Sequence, residues 1–379
     1  MLSTVEKYYV ATIGAAKYLG SVRVQQLINF FGDAQSVWTA KSGEIEKAGL
    51  PQKALESFLD FRANNPDAPA KLIEYCDKKN IGLCSIYDED YPPMLMEIQN
   101  PPTVFYYYGT LEPFAERIAM VGTRNNTDYG QRVAMEIAEE LAAAGITIVS
   151  GAARGIDTFS HMGAMKRGRT VAVLGCGIEY AFKVPNHKLI REIAEKGVVM
   201  TDFKPSQPPT KETFPPRNRI IAGLSRGVIV IEAGERSGAD ITCGYAGDFG
   251  RDVFAVPGSI YWKKSVGCNR LIRDSGGGTV VRSAADILEF YNWTQNKSIE
   301  KNIFDEQNIS DTKQINNETL KLEGVEKKIF DVIPSSDFIT IDEILDTVEE
   351  VSPDEIPSIL LQLEMKNCIV EKDGTYSKG

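Results

Sequence analysis

Four clusters of small, hydroxyl-bearing and cationic residues are placed to do chemistry, and all four suit the binding of an anion. Val121-Gly122-Thr123-Arg124 combines a glycine that lets backbone approach a ligand, a hydroxyl, and a guanidinium whose planar fork matches phosphate oxygens. Taken alone, it is equally a strand-to-helix turn carrying a surface arginine. Ser150-Gly151-Ala152-Ala153-Arg154-Gly155-Ile156-Asp157 is rich in small residues that expose N–H groups where a helix begins, which makes a nest for an anion. There Asp157 is expected to cap the helix or to order Arg154. His161, one turn further on, is expected to make structural hydrogen bonds rather than to catalyse.

The third cluster, Lys211-Glu212-Thr213-Phe214-Pro215-Pro216-Arg217-Asn218-Arg219, gathers three cations around a rigid Phe-Pro-Pro turn. Arg217 and Arg219 should point to different sides, with one of them facing a ligand, and Asn218 can hold polar edges. Phe214 reads as a stacking platform or a buried anchor, and the anchor is the expectation. The fourth cluster joins Ile231-Glu232-Ala233-Gly234 to a helix start whose donors include Ser237, Gly238 and Thr242. Gly175-Cys176-Gly177 is a lone G-x-G without the third glycine of a dinucleotide fingerprint, and no G-x-x-x-x-G-K-[ST] occurs, which excludes ATP hydrolysis of the P-loop type.

These clusters need strand ends to hold them. Short β-branched runs over 118–121, 147–149, 170–174, 198–201, 227–231, 252–256 and 279–281 alternate with helical segments such as 130–144. That alternation predicts an α/β fold with a Rossmann-like, doubly wound, mostly parallel sheet, whose ligand crevice lies at the carboxyl ends of the strands. Each cluster falls at or just after such an end.

Upstream, to about Phe61, Val24, Leu27, Ile28 and Phe31 recur at helical spacing and Gly32-Asp33 ends the run. This predicts a small helical domain of the helix-hairpin-helix or SAM-like kind. Proline-rich stretches between Cys84 and Gly109 read as the lead-in to the sheet, with a strand over 103–108. Polar residues 291–319 read as a linker. Helical segments over 324–333, 341–348 and 352–365, then a hairpin turning at Asp373-Gly374, follow the plan of a winged helix. The expected domains are thus 1–84, 85–290 and 320–379.

The formal net charge of −10 opposes nucleic-acid binding until its distribution is considered. Residues 300–379 hold 19 acidic and 8 basic residues, whereas residues 117–282 hold 23 basic and 16 acidic. The acidity belongs to the tail, which suggests a protein-facing or regulatory role there. No run of apolar residues is long enough to span a bilayer and no signal pattern opens the chain, so a cytoplasmic protein is expected. Six cysteines without C-x-x-C spacing and two histidines predict reduced packing thiols, no metal and no cofactor.

Taken together, the motifs resemble those of the DprA (Smf) family. Its pattern stands here as Gly122-Thr123-Arg124, residues 150–157, the unbroken run 214–225, Glu232-Ala233, residues 237–242 and residues 253–259. The resemblance covers roughly residues 85–290. It implies a non-enzymatic, dimeric protein that binds and protects single-stranded DNA and helps load RecA recombinase onto it during natural transformation. The implied phosphate pocket is lined by Arg124, Arg154, Lys211 and residues 217–219. Gly122, Thr123, Gly155, Phe182, Lys183, Ser237, Gly238 and Thr242 complete the expected DNA contacts, and Asn269, Leu271 and Ile272 are associated with dimerisation. Three departures stand out: Phe182-Lys183 replaces an aromatic-Pro pair, Asp240 stands where an aliphatic residue is common, and Asp274-Ser275-Gly276 replaces D-G-A. A competing reading is a Rossmann-like nucleotide phosphoribohydrolase, but the P-G-G-x-G-T-x-x-E signature of such enzymes is absent.

Overall fold

The computed structural model describes residues 5–274, 277–293, 324–334, 339–348, 369–372 and 375–378, together with positions 356, 359, 360 and 363. The chain separates into two units, residues 1–300 and 301–379.

The first unit begins with six helices: α1 (Glu6–Gly14), α2 (Ser21–Phe31), α3 (Ala34–Thr39), α4 (Ser42–Glu46), α5 (Gln52–Asn64) and α6 (Ala68–Lys79). Val24, Leu27 and Ile28 of α2 are buried, as their spacing requires, against Val37, Ile45 and Phe58. Gly32 ends α2 with φ at +92°, and Asp33 caps α3 by accepting from Ser36 N at 2.6 Å. The buried Glu6 carboxylate accepts from the free N–H groups of Ala34 and Gln35 at the same helix start.

A nine-stranded sheet follows. Its strands are β1 (Gly82–Ser85), β2 (Val104–Gly109), β3 (Arg117–Val121), β4 (Thr147–Ser150), β5 (Thr170–Val173), β6 (Val198–Thr201), β7 (Gly227–Val230), β8 (Asp252–Ala255) and β9 (Thr279–Val280). Their order is β1-β2-β6-β5-β4-β3-β7-β8-β9. From β6 to β9 every pairing is parallel, while β1 and β2 add an antiparallel edge. The sheet is therefore α/β and mostly parallel, as expected. β1 was not anticipated, and position 84 lies inside it.

Helices cover both faces: α7 (Pro93–Met96), α8 (Asp128–Ala143), α9 (Ile156–Arg167), α10 (His187–Lys196), α11 (Phe214–Gly223), α12 (Gly238–Asp248), α13 (Val266–Arg273) and α14 (Ala284–Phe290). Burial on both sides explains why the strands read as near-continuous apolar runs. Ala119, Val121, Val228 and Val230 point to one layer, with Ile220 and Ile221 of α11 and Ala239 and Ala246 of α12. Ile118, Met120, Ile148 and Ile229 point to the other, with Ile137 and Leu141 of α8 and Ile287 of α14. Each of the valine, leucine, isoleucine and methionine side chains contributes about 1.5–3 kcal/mol by leaving water.

The chain runs β3-β4-β5-β6 to one side and then returns to β7 on the other side of β3. The direction of winding thus reverses at β3, and the crevice a doubly wound sheet offers opens at the carboxyl ends of β3, β4 and β7.

In the second unit, α15 (Gly324–Val332), β10 (Ile339–Thr340), α16 (Ile341–Thr347) and the antiparallel pair β11 (Ile369–Lys372) and β12 (Thr375–Lys378) form a three-stranded sheet with helices. Ile329, Ile344, Ile356, Leu360, Leu363 and Ile369 share its core. The spacing of Ile356, Leu360 and Leu363 is helical, but most of the third expected helix, the hairpin turn at 373–374 and the expected linker from residue 294 onward lie outside the described residues. Among the described residues, no helix is long and apolar enough to cross a membrane, and no group of three or more His, Cys, Asp or Glu side chains is placed to hold a metal ion.

Candidate functional site

At the carboxyl end of β3 one residue ties three loops together. Thr123 N donates to Glu232 O at 2.7 Å in the loop after β7, and Thr123 O accepts from Ile156 N at 3.2 Å at the start of α9. The approach is too close for side chains at the neighbouring glycines. A Cβ on Gly122 would sit 2.9 Å from Glu232 O, and one on Gly155, whose φ is +90°, would overlap the Thr123 carbonyl. Arg124 is thereby held at the surface where the three loops meet.

Glu232 belongs to this scaffold. Its buried carboxylate accepts from Thr127 N at 2.9 Å and from the Thr127 hydroxyl at 2.8 Å. Thr127 in turn caps α8 by accepting from Gly130 N at 3.2 Å. The carboxylate thus braces a helix start, where negative charge is favoured.

A cleft of about 260 Å³ opens here. Its walls are Gly122 and Arg124 after β3, Ala153 and Asp157 at the start of α9, Lys211, Phe214, Arg217 and Asn218 around the start of α11, and Gly238 and Thr242 of α12. The amino ends of α9, α11 and α12 converge on one space, and their partial positive charges add to those of the cations. The Phe-Pro-Pro segment is not the turn the sequence suggested. It is the first turn of α11, where prolines are tolerated because those N–H groups lack intrahelical partners.

The three cations differ in role. Arg217 is buried, donating to Gly151 O at 2.7 Å, to Val173 O, and through Nε to Asn218 Oδ1 at 3.2 Å. Burial lowers its pKa and Arg124 adds to that, while Asp157 opposes. Burial likewise pushes the Asp157 carboxyl up, against the pull of Arg217 and hydrogen bonds from Ala153 N, Gly151 N and Ser150. Asp157 is therefore hydrogen-bonded to its own loop and feels the charge of Arg217 without forming an ion pair with it, or with Arg154 or Arg124, among the described residues. Arg124 and Lys211 are exposed, and among the described residues neither forms an ion pair with an acidic side chain. The Arg124 guanidinium stands 5.0 Å from the Phe214 ring centre and that of Arg217 5.9 Å, so the half-buried Phe214 anchors both.

Several expected contacts stand elsewhere. Arg219 pairs with Asp202 and donates to Asn100 O at 2.9 Å, away from the cleft. Phe182 packs on Tyr108 at 5.0 Å beneath Arg191, and Lys183 lies over Tyr180; neither lines the cleft. Arg154 is exposed beside a second, more apolar cleft of about 250 Å³ that shares Arg124, Ala153 and Phe214 with the first. Ser237 caps α12, and the unusual Asp240 completes that cap by accepting from Ser237 N at 3.2 Å while pairing with Arg270 at 2.9 Å.

Asn269 grips Gly258 at both N and O within its own chain, and Leu271 and Ile272 pack partly against the core. Ser275 and Gly276 lie outside the described residues. His161 is buried; Ala152 N donates to its Nε2 at 3.2 Å, and its Nδ1 meets the Thr170 hydroxyl at 2.6 Å. Because Thr170 donates to Ile148 O, the proton between them belongs to Nδ1 and the ring is neutral. Burial, reinforced by Arg217, lowers its pKa to about 3. Sequence reasoning passed over Asn186, which donates to Ala152 O at 3.0 Å and steadies the left-handed Ala152, and over Ile221 and Ile241, which line the cleft. Asn186 stands in none of the motifs, while Ile221 and Ile241 lie inside the runs 214–225 and 237–242 as apolar positions that read as packing.

The family model for DNA recombination-mediator protein A matches residues 82–292. The Smf protein of Synechocystis sp. is 37% identical over 297 residues, which cover 76% of this chain and 73% of that protein. The X-ray structure of DprA from Streptococcus pneumoniae superposes with a TM-score of 0.65 at 34% identity, covering 76% of this chain and 98% of that one. A structure of DprA from Helicobacter pylori, described for its single-stranded DNA binding mode, matches with a TM-score of 0.50 at 26% identity over 55% of this chain and 95% of that one. With a family model spanning more than half of the chain, and with the winding reversal and its loops where that family's motifs fall, the protein belongs to the DNA recombination-mediator protein A family, DprA/Smf.

Proposed function

We propose that the cleft at the end of β3 holds the backbone of single-stranded DNA, and that the chain binds and protects such strands and helps load RecA recombinase during natural transformation. The observation that carries this reading is the pair Arg124 and Lys211, which line a cleft of helix starts and form no ion pair with an acidic side chain among the described residues. A backbone phosphate supplies the missing charge. Family membership supports the reading, as does the described binding of single strands by the Helicobacter pylori relative.

In this proposal Arg124, Lys211 and Asn218 touch phosphate, with Gly122, Gly238 and Thr242 beside it. Arg217, Thr123, Gly155 and Ser237 shape the cleft, Arg154 extends it, and Phe182, Lys183 and Arg219 act outside it. The working protein is a dimer that includes α13, no residue acts as a catalyst, and the cytoplasm is its place of work. Residues 1–84, 85–290 and 320–379 divide the labour, joined before the tail by 291–319.

Side-by-side titration of single-stranded DNA, duplex DNA and mononucleotides tests the reading. A narrow cleft between loops admits a splayed strand more readily than a rod, so single strands should bind tightest. Equal affinity for duplex would overturn it, and release of free base from nucleoside monophosphates would favour a phosphoribohydrolase instead.

A further inference from the structure

The loop between β8 and α13 carries an unusual surface. Ile260, Tyr261 and Trp262 are 80%, 88% and 47% exposed, the first two among the most exposed large apolar side chains of the described residues. Lys263 and Lys264 follow them, and neither pairs with an acidic side chain among the described residues. Leaving this much aromatic and aliphatic surface in water is unfavourable, and patches of this kind mark binding sites.

The tip is exposed but its base is fixed. Tyr129, in the first turn of α8, donates to Pro257 O at 2.8 Å and meets the Trp262 ring edge-on at 6.0 Å between centres. Asn269 grips Gly258, Trp262 N donates to Ser259 O at 3.0 Å, and Ser265 N donates to Trp262 O at 2.9 Å. These bonds also locate the loop. Tyr129 belongs to the helix that leaves the Arg124 loop, and Gly267 N donates to Ala233 O at 2.8 Å in the loop that leads to Gly238. A Cβ placed on Gly234 in that same loop would lie 3.7 Å from Lys263 O. Two of the segments that build the phosphate cleft are therefore the ones on which this platform rests.

We propose that residues 259–264 form a stacking and charge platform that receives the bases of a single strand as it leaves the Arg124–Lys211 cleft. The inference rests on the cleft binding single-stranded DNA, and names where the strand goes next. Exposed aromatic rings interleaved with cations are what sequence-tolerant binding of unpaired strands requires, because every base has a face to stack and every nucleotide a phosphate to neutralise. The Trp262 ring is held by Tyr129 and the backbone that carries Tyr261 by the Ser259 hydroxyl, which accepts from Tyr261 N at 3.3 Å, so part of the ordering cost of stacking is already met. A second copy of the chain is the less suitable occupant. A twofold contact centred on the tip would bring Lys263 and Lys264 of both copies together without an acidic partner.

The test uses the full chain, labelled oligothymidylates of about 6 and about 25 nucleotides, and the variants Tyr261→Ala, Lys263→Ala/Lys264→Ala and Arg124→Ala, with melting temperature confirming that each is folded. Tyr261→Ala should weaken the long oligonucleotide about tenfold and leave the short one, which fills the cleft alone, unchanged. The double lysine variant should lower the salt slope for the long strand by roughly 1.4. Wild-type affinity of Tyr261→Ala for both lengths, with Arg124→Ala still weakened, would overturn the platform and leave the cleft standing. Loss of self-association in sedimentation with unchanged DNA affinity would assign the tip to a second copy. If the unaltered protein binds neither oligonucleotide, the reading of the cleft itself fails, and the platform with it.

Discussion

Two arginines that line the same cleft, Arg217 and Arg124, have opposite physical situations. Arg217 is buried and bonded to the carbonyls of Gly151 and Val173, so its removal would leave acceptors unpaired and Asp157 uncompensated. Arg124 is exposed and rests on a ring. Arg124→Ala should therefore keep its melting temperature, bind all single-stranded sequences more weakly, and show a salt slope lower by roughly 0.7, the share of one phosphate contact. Lys211→Ala should behave likewise, and the double variant should show the sum unless both cations hold one phosphate. A fall in melting temperature with an unchanged slope would instead make Arg124 a brace. Asp157, the partner such a brace would need, is already hydrogen-bonded within its own loop and lies in the field of Arg217.

His161 supplies a pH dependence with a definite sign. Its folded pKa, about 3, lies below the value near 6.5 of an unfolded histidine. The unfolded chain therefore takes up a proton that the folded chain refuses. The stability this ring contributes is complete above about pH 6.5 and is lost as pH falls toward 3, at a rate approaching 1.4 kcal/mol per pH unit. His161→Gln should flatten the fall in melting temperature between about pH 7 and pH 5. Parallel pH profiles for the two proteins would show that the ring is not the group responsible.

At the scale of elements, the cleft depends on how closely β3, α9 and the loop after β7 approach. Gly155→Ala demands a positive φ of a residue with a side chain and drives that side chain into the Thr123 carbonyl. The variant should melt lower and lose affinity for single strands and mononucleotides alike, because Thr123, Arg124 and the start of α9 shift together. Circular dichroism melts and the same titrations check this. Normal affinity in a folded Gly155→Ala protein would mean the loop junction does not set the cleft.

The parallel strands were legible because Ile118, Met120, Val228 and Val230 must be apolar on both faces, which leaves few alternatives to a buried strand. The cleft was legible where chemistry and backbone need coincide, as in Gly122, Arg124, Gly155 and Lys211. β1 was not legible, since four residues, Gly82-Leu83-Cys84-Ser85, acquire strand character only by pairing with β2. Proline's bias toward turns hid the first turn of α11, where the same bias is harmless. The direction of Arg219 depends on Asp202 and that of Phe182 on Tyr108 and Arg191, partners that only the folded chain brings near.

For the molecule as a whole, charge is divided between the two units. The central segment 117–282 carries an excess of basic residues, and residues 300–379 carry 19 acidic against 8 basic. Glu343 at the start of α16 caps its own helix by accepting from Thr340 N, so at least one of these carboxylates serves the fold. An acidic tail tethered to a basic cleft repels the same phosphate that the cleft attracts, over distances set by a screening length of about 10 Å at 0.1 M salt. A chain ending at residue 299 should therefore bind single-stranded DNA as tightly as the full chain or more tightly. Any gain should be largest at low salt and vanish as screening increases. The tail's own core of Ile329, Ile344, Leu360 and Ile369 is separate from the sheet's, so the truncated protein should keep the melting behaviour of the sheet. Titration of both lengths across a range of salt decides the matter: a large loss of affinity on truncation at every salt concentration would show that the tail holds DNA itself, while a salt-sensitive gain would mark it as an electrostatic restraint that a partner protein could lift by engaging its acidic surface.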